Sequence, residues 1–399
     1  MTSLNDRVRH LIGASGLSQG QFAEAVGLDA PKLSKSLSGV RRFSSLDLAR
    51  IAEHAGRTVD WLLTGEEPPL ALAARAAAGS PTSAATEAAY ELVSIRTGVA
   101  SFGFAQPWVP PSVPPLRGTD VKQGANLAEV ALAHLRAQGI SVVDDLAGAI
   151  EQGFGADVAI VPLGDGVDGL AASTEVAKII LAATTATPYR QRFTIAHELG
   201  HLLVGDDQEV HVDRDIFGPE SKTVGSERRA NAFAAAFLMP EVDLRAAVPA
   251  GRIDEAGFCA LAVSLQVSPS ALAYRLKGLD LIDGMAQARL GGLSAKHAAA
   301  KTGATAALVA QASAAAAMRP PALLTRDAFA AFEQGHTTIR PYARLLGQDD
   351  TDRLLADLAG AGGPEGSGDG ASPETTRQRR RTTVAAIRCF FDEDEAVES

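Results

Sequence analysis

Two histidines four residues apart in an apolar segment constrain the fold of this chain more than any other feature. They belong to His197-Glu198-Leu199-Gly200-His201, which lies between Pro188 and Gly205, residues typical of the start and the end of a helix. Because four residues advance an α-helix by about 400°, the two imidazoles project from one face, one turn apart. At that spacing both can bind one metal ion, at about 2.0 to 2.1 Å each for zinc. The segment therefore predicts a buried helix that supplies two metal ligands.

Glu198 directly follows the first histidine. From there its carboxylate can accept a proton from an attacking water instead of binding the metal, so we expect it to be a general base. The alternative is a pair of core histidines bonded to backbone carbonyls. The metal interpretation is favoured because a buried apolar helix has little reason to keep His-Glu-x-x-His unless something satisfies these polar groups.

A catalytic zinc site needs a third protein ligand. In the metzincin pattern that ligand is a histidine at position 207, preceded by a glycine at 204, but Asp207 and Val204 stand there, so that pattern fails. Asp206 and His211 are nearby candidates, although neither has a partner at helical spacing.

Glu227 is the better candidate for the third ligand. It begins a second apolar segment, residues 226–240, whose small residues permit close packing against the first helix. Asn231 shares its face, four residues on, and can orient the carboxylate of Glu227 or stand behind the ligands. The alternative for Glu227 is an ordinary first-turn glutamate that interacts with the helix dipole only.

The N-terminal region, residues 4–65, carries short helical periods separated by turn signals. Ser18 and Gln21 form a capping-box pattern that opens a second helix, and Gly27 makes the turn after it. Asp29 can cap the third helix. Helices this short need each other's apolar faces, so the pattern predicts a small all-α domain of five helices.

These helices, with their tight turn, resemble the helix-turn-helix domain of the phage-repressor (XRE) class. The matching residues are Leu17-Ser18-Gln19, Phe22-Ala23, Val26-Gly27-Leu28, Leu33-Ser34, Leu37-Ser38-Gly39 and Trp61-Leu62-Leu63-Thr64-Gly65. The resemblance implies that residues 1–66 bind double-stranded DNA with the third helix in the major groove. The expected contacts are Ser18, Gln19, Lys32, Lys35, Ser36, Arg41 and Arg42. The alternative is a helical bundle used for dimerisation.

The rest of the chain divides by composition. Residues 67–122 are rich in Ala and Pro and predict a linker, interrupted by one helix near 86–95. Residues 123–283 alternate helices with short apolar strands and predict an α+β domain with a small sheet. A helical C-terminal region of unknown role, 284–359, and a disordered tail, 360–399, follow. The expected strands are 158–162, 169–172 and 178–182.

Three motifs in the α+β region occur in a characteristic order. They are Phe193-Thr194-Ile195-Ala196-His197-Glu198-Leu199-Gly200-His201, then Glu227-x-x-Ala230-Asn231-x-Phe233-Ala234 with Leu238-Met239-Pro240, and Val267-Ser268-Pro269-Ser270-Ala271-Leu272-Ala273-Tyr274-Arg275-Leu276. Together they resemble the ImmA/IrrE family of zinc metallopeptidases over residues 123–283. The resemblance implies a zincin-like fold, His197, His201 and Glu227 as ligands of one Zn²⁺ per chain, and Glu198 as the base. Mn²⁺ and Fe²⁺ are alternative metals for such a site.

Peptide hydrolysis also requires a donor for the developing oxyanion. The polar candidates are Tyr274, Arg275 and His211. The alternative is that the Tyr-Arg pair, which lies in an amphipathic helix, is structural.

Composition limits the partners and the compartment. The chain of 399 residues has 47 acidic and 37 basic side chains, so it does not coat nucleic acid along its length and any DNA-binding surface is local. It has two cysteines, no apolar run long enough to span a membrane and no signal-peptide pattern at its start. These features predict a cytoplasmic protein with no membrane partner.

The family resemblance implies a DNA-binding regulatory metallopeptidase that cuts a partner protein, with a transcriptional repressor as the expected substrate, in a stress or mobile-element response. One alternative is a transcription regulator whose peptidase-like domain is a sensor or interaction module without turnover. Another is an antitoxin-like regulator. The intact Glu198 favours the peptidase, because a pure sensor need not keep it. A homodimer stays an open option.

Overall fold

A computed structural model describes residues 3–55, 61–62, 83–113, 115–205, 211–213, 225–248 and 252–360. The N-terminal part contains α1 (Leu4–Ser15), α2 (Gln19–Ala25), α3 (Ala30–Leu37) and α4 (Ser45–His54). Next come α5 (Ser83–Ser101), α6 (Asp120–Ala137), α7 (Leu146–Phe154), β1 (Asp157–Val161), β2 (Gly169–Ser173) and β3 (Lys178–Ala183). They are followed by α8 (Pro188–Val204), β4 (His211–Asp213), α9 (Gly225–Leu238), α10 (Glu241–Ala247), α11 (Glu255–Ser264) and α12 (Pro269–Gly278). The last helices are α13 (Gly284–Gly291), α14 (Ala295–Thr302), α15 (Thr305–Ala316), α16 (Ala322–Glu333), α17 (Arg340–Leu345) and α18 (Thr351–Gly360).

The first four helices pack around one apolar core. Ser18 and Gln21 form the expected capping box at the start of α2. Asp29 occupies the N-cap position of α3, but its side chain makes no capping bond and instead pairs with Lys32 at 2.6 Å. The core is formed by Val8, Leu11, Phe22, Leu33, Ile51 and Leu62, among others. Most of the predicted fifth helix lies outside the described residues.

The sheet has the strand order β1-β3-β2-β4, with β1 and β3 parallel and the other pairs antiparallel. The three expected strands are present, and β4 was not predicted. Because side chains alternate along a strand, the two faces of the sheet enter different cores. Val158, Ile160, Ala171 and Ile180 face the core that contains α6, α8 and α9. Ala159, Leu170, Ile179 and Leu181 face the core that contains α5 and α16.

The structure differs from the expected linker over residues 83–113. Helix α5 is longer than the short helix predicted there and covers the second face of the sheet. The following segment lies along the fold, where Gln106 bonds both backbone groups of Lys178, at 2.6 and 2.8 Å. The Val109 amide donates to the Phe154 carbonyl at 2.9 Å. Composition suggested a linker because the small alanines of α5 resemble linker residues, but here they are packed against the sheet.

The region after residue 284 also joins this fold. Leu324 and Ala328 of α16 share the core with α5. Arg319 and Ile160 exchange two backbone hydrogen bonds of 2.9 Å, so residue 319 covers the outer edge of β1. The C-terminal helices therefore complete the α+β fold, while the tail predicted to be disordered lies outside the described residues.

The described helices include no single one that is long and apolar enough to cross a membrane. Helices α11 and α12 pass that test of length and composition only as a pair, with a bend of 105° between them.

Candidate metal centre

Helix α8 places the two histidines as their spacing predicts. Thr187 is the N-cap, Pro188 is in the first turn, and Gly205 ends the helix in the left-handed conformation. A helix with apolar residues on most sides is buried on most sides. His197 and His201 are accordingly 0% and 1% exposed.

Glu227, in the first turn of α9, meets both imidazoles. Its Oε2 is 3.3 Å from Nε2 of His197 and its Oε1 is 3.3 Å from Nε2 of His201. The two Nε2 atoms are 3.0 Å apart. Three buried side chains from two helices therefore direct their ligand atoms at one point.

Asn231 settles the tautomer of the first histidine. Its Oδ1 lies 3.2 Å from Nδ1 of His197, and an amide oxygen can only accept, so Nδ1 carries the hydrogen. In the neutral ring Nε2 then has a lone pair that faces Glu227. This is the usual arrangement of a metal-binding imidazole, oriented by a hydrogen bond from its other nitrogen.

The three residues fit one divalent cation. Ligand atoms about 2.0 to 2.1 Å from a tetrahedral ion lie about 3.3 Å from each other, and the observed separations are 3.0 to 3.3 Å. Two neutral imidazoles and one carboxylate match the donor set of catalytic zinc sites, which keep the fourth position open. The same set accepts Mn²⁺ and Fe²⁺. His197, His201 and Glu227 also form a group whose burial and ligand spacing suit a metal.

Glu198 is completely buried but lies outside this group of three. Its carboxylate is directed at the start of β2, where it is close to Gly169. Its position next to the ligands and not among them suits a base better than a fourth ligand.

Close packing of α8 against α9 brings the ligands together. A Cβ atom at Gly200 would lie 2.9 Å from Cδ1 of Phe233, closer than real Cβ contacts allow. The glycine of the motif therefore lets α9 approach, which brings Glu227 within reach of the histidines.

Two of the expected oxyanion donors are not brought to this group. Tyr274 is 76% exposed. Arg275 donates to the carbonyl of Met239, at 3.4 Å. Met239 follows the last residue of α9, about 18 Å along the helix from Glu227 at 1.5 Å per residue. In this structure Tyr274 lies at the surface and Arg275 contacts the end of α9, and neither joins the group of three.

The other nearby candidates are only partly described. The main chain of His211 belongs to β4, opposite Ala171 of β2, and its side chain is outside the described residues. Asp206 and Asp207 also lie outside them.

The expected DNA-contacting residues fall into two groups. Ser18, Gln19, Lys32, Lys35 and Arg42 are exposed. Ser36 is 1% exposed and accepts a hydrogen bond of 3.1 Å from Arg41, so its assignment as a DNA contact is wrong. Arg41 also pairs with the buried Asp47 at 2.8 Å, which gives it a structural role within the bundle.

The domain has two histidines and a glutamate on packed helices, a second glutamate beside them, and a small mixed sheet. This combination is that of a metallopeptidase-type α+β domain. Residues 151–277 match the family model described as the IrrE N-terminal-like domain, which is a peptidase family. The chain is 36% identical over 129 residues to the radiation response metalloprotease IrrE of Deinococcus radiodurans. The matched part is 31% of this chain and 37% of that relative. Residues 151–277 therefore form a domain of the IrrE-like metallopeptidase family, which confirms the resemblance identified from the motifs.

Proposed function

We propose that this protein is a zinc-dependent endopeptidase that cuts a partner protein, with a DNA-bound transcriptional repressor as the substrate. The observation that carries the proposal is the convergence of His197, His201 and Glu227, with Glu198 beside them. The name of the relative, a radiation response metalloprotease, supports a regulatory role under stress.

Each residue of the site has its own role in the proposed reaction. His197, His201 and Glu227 would hold the Zn²⁺, and Asn231 keeps the first imidazole in the ligand tautomer. A bound zinc ion would polarise the scissile carbonyl and lower the pKa of the attacking water toward 7. Glu198 accepts the proton of the attacking water and passes it to the leaving amine.

Cleavage and metal content are expected to be lost together. We expect the purified chain to cut a DNA-binding regulator encoded near its gene, with the fragments identified by mass. A chelator stops the reaction because the ligands then hold no ion. The His197→Ala/His201→Ala variant removes two of three ligands, so elemental analysis should find its metal reduced from one ion per chain to near zero. Equal metal in the variant and the wild type would contradict the proposed ligands.

We also propose that the N-terminal bundle, residues 1–66, is a helix-turn-helix domain that binds double-stranded DNA. Its support is the exposed position of Lys35 and Arg42, which remain accessible after Lys32 and Arg41 have paired with aspartates. A DNA-bound repressor would then be met by a peptidase held at the same promoter.

Binding of promoter DNA by the full chain is expected to fall steeply with salt, since each neutralised phosphate releases counterions. The Lys35→Ala/Arg42→Ala variant should bind more weakly at every salt concentration, with the salt slope reduced by about 1 per lost contact. Fluorescence anisotropy measures both quantities. The control is Lys277→Ala/Lys296→Ala, which removes two exposed positive charges outside the bundle. DNA binding that the two variants weaken equally would assign the effect to net charge and not to this surface.

A further inference from the structure

Strand β2 passes very close to helix α8 at Gly169. A Cβ atom at this position would lie 2.3 Å from Cγ2 of Thr194, 2.9 Å from Oε1 of Glu198 and 3.2 Å from the carbonyl oxygen of Leu181. The φ angle of Gly169 is outside the left-handed region, so its backbone conformation is open to any residue. Glycine fits at position 169 because there is no room for a Cβ atom, and not because of its backbone conformation.

The two close neighbours belong to one face of α8. Thr194 precedes Glu198 by four residues, one helical turn, and the two are 1% and 0% exposed. Because both are buried, a displaced side chain would have to move within a closely packed interior and not into solvent. The carboxylate of Glu198 thus lies directly against the backbone of β2, at a residue that has no side chain.

The start of β2 is also fixed. Asp168 forms two bonds with Arg190 in the first turns of α8, with Nε to Oδ1 at 3.0 Å and Nη2 to Oδ2 at 2.5 Å. Within the sheet Gly169 is paired with Ala182 of β3 and with Asp213 of β4. Because the strand is tied to both α8 and the sheet, a side chain at position 169 would displace Thr194 and Glu198 before it displaced the strand.

We propose that Gly169 is a positioning residue, which sets the place of the Glu198 carboxylate relative to the His197, His201 and Glu227 group. The proposal rests on the proposed function, in which Glu198 is the general base. Sequence reasoning missed Gly169, because nothing local marks a glycine that contacts a residue 29 positions further along the chain.

The first test is the Gly169→Ala/Thr194→Ser variant. Serine removes the methyl group that is the closest obstacle, so Glu198 is left as the nearest group that the new methyl would displace. We expect wild-type metal content and KM, with kcat about 10²-fold lower than in Thr194→Ser alone, since a displacement of about 1 Å costs that much. The control is Gly278→Ala, the same change where nothing lies within 4 Å, with unchanged kcat. An unchanged kcat in the double variant would overturn the proposal.

The second test needs no activity. In the Thr194→Ser background, Gly169→Ala should lower the urea midpoint of unfolding more when residue 198 is Glu than when it is Ala, because alanine vacates the contested space. Additive midpoint shifts would overturn the proposal. If Gly169→Ala/Thr194→Ser fails to fold but the variant that adds Glu198→Ala folds, the contact is supported. If the wild type cuts no regulator, the proposed function fails while this cycle still decides the role of Gly169.

Discussion

Replacement of Glu198 by glutamine is expected to lower the rate of peptide hydrolysis by roughly 10² to 10⁴-fold, the usual contribution of a positioned general base. Glutamine keeps the size and the planar end of the side chain but cannot accept the proton. Folding and metal binding should survive, since Glu198 lies against β2 and outside the group of three proposed ligands. The effect should appear in kcat, because the substrate contacts are unchanged.

Two matched Glu→Gln substitutions serve as controls for this prediction. Glu227→Gln changes a proposed ligand, so it should lose metal as well as activity, whereas Glu198→Gln loses activity alone. Glu129→Gln makes the same chemical change at an exposed position on α6 and should change neither. If Glu198→Gln loses its metal, Glu198 has been assigned the wrong role and the ligand set must be redrawn.

The same variant distinguishes the peptidase from the sensor and antitoxin-like alternatives. If regulation in cells depends on cleavage, Glu198→Gln should abolish the response while promoter occupancy, measured by chromatin immunoprecipitation, is unchanged. Normal regulation by the variant would mean that hydrolysis is dispensable for that output. Promoter occupancy separates DNA binding from peptide hydrolysis, because residue 198 is remote in sequence from the N-terminal bundle that is proposed to bind DNA.

Part of the metal centre could be predicted from the sequence, because helix periodicity determines which residues share a face within each of the two helices. Two histidines four residues apart must share a face, and Asn231 must share a face with Glu227. The meeting of the two helices was inferred from small residues and from the family resemblance, since no local rule fixes how far α8 lies from α9. Gly200 against Phe233 supplies that distance in the structure.

The burial of Ser36 can be predicted from the helix period. Ser36 lies three residues after Leu33 and one before Leu37, so the same period that buries the leucines buries the serine. This periodicity, and not the match to a DNA-binding class, determines the position of Ser36. Tyr274 and Arg275 are different, because their distance from the metal centre depends on how α12 packs against the end of α9.

The role of α5 was beyond sequence reasoning. Arg96, in the C-terminal half of this helix, is 0% exposed, and its partners are 61 and 231 residues away in the chain. A single arginine in an Ala-rich segment predicts a solvated side chain. Only the assembled fold shows that α5, β1 and α16 each contribute one charged group to the same buried cluster.

Replacement of Arg96 by methionine is expected to destabilise the α+β fold by about 3 to 5 kcal/mol, because it leaves the buried carboxylate of Asp157 without its cation and leaves Asp327 with the exposed Arg326 alone, at 2.9 Å. Arg96 contacts Asp157 through Nε at 2.7 Å and Nη2 at 2.6 Å, and Asp327 through Nη1 at 2.6 Å. Methionine fills much of the same volume, so the loss is mainly electrostatic. Urea unfolding followed by circular dichroism at pH 8 measures it.

The pH dependence identifies the cause. Burial already raises the pKa of Asp157 above its usual value, in spite of the bonds from Arg96 that lower it. Without Arg96 the pKa of Asp157 should rise further, so the folded state binds more protons than the unfolded state. Stability then falls as pH rises above about 4, the unfolded value, and the gap between variant and wild type should be smaller at pH 5 than at pH 8. A gap independent of pH would assign the loss to packing.

Two further variants separate burial from the simple presence of an ion pair. Arg190→Met removes an arginine that makes the same two-bond contact with Asp168, but there the side chains are 43% and 19% exposed, so the cost should be at most about 1 kcal/mol. Adding Asp157→Asn and Asp327→Asn to Arg96→Met removes the two carboxylates that have lost Arg96 and should recover much of the lost stability at pH 8. Arg96 and Asp327 lie outside residues 151–277, and Asp157 lies inside. Recovery in the triple variant would therefore show that the loss in Arg96→Met comes from carboxylates left without Arg96 where the flanking segments meet the metallopeptidase domain, whereas no recovery would mean that Arg96 acts through its own packing.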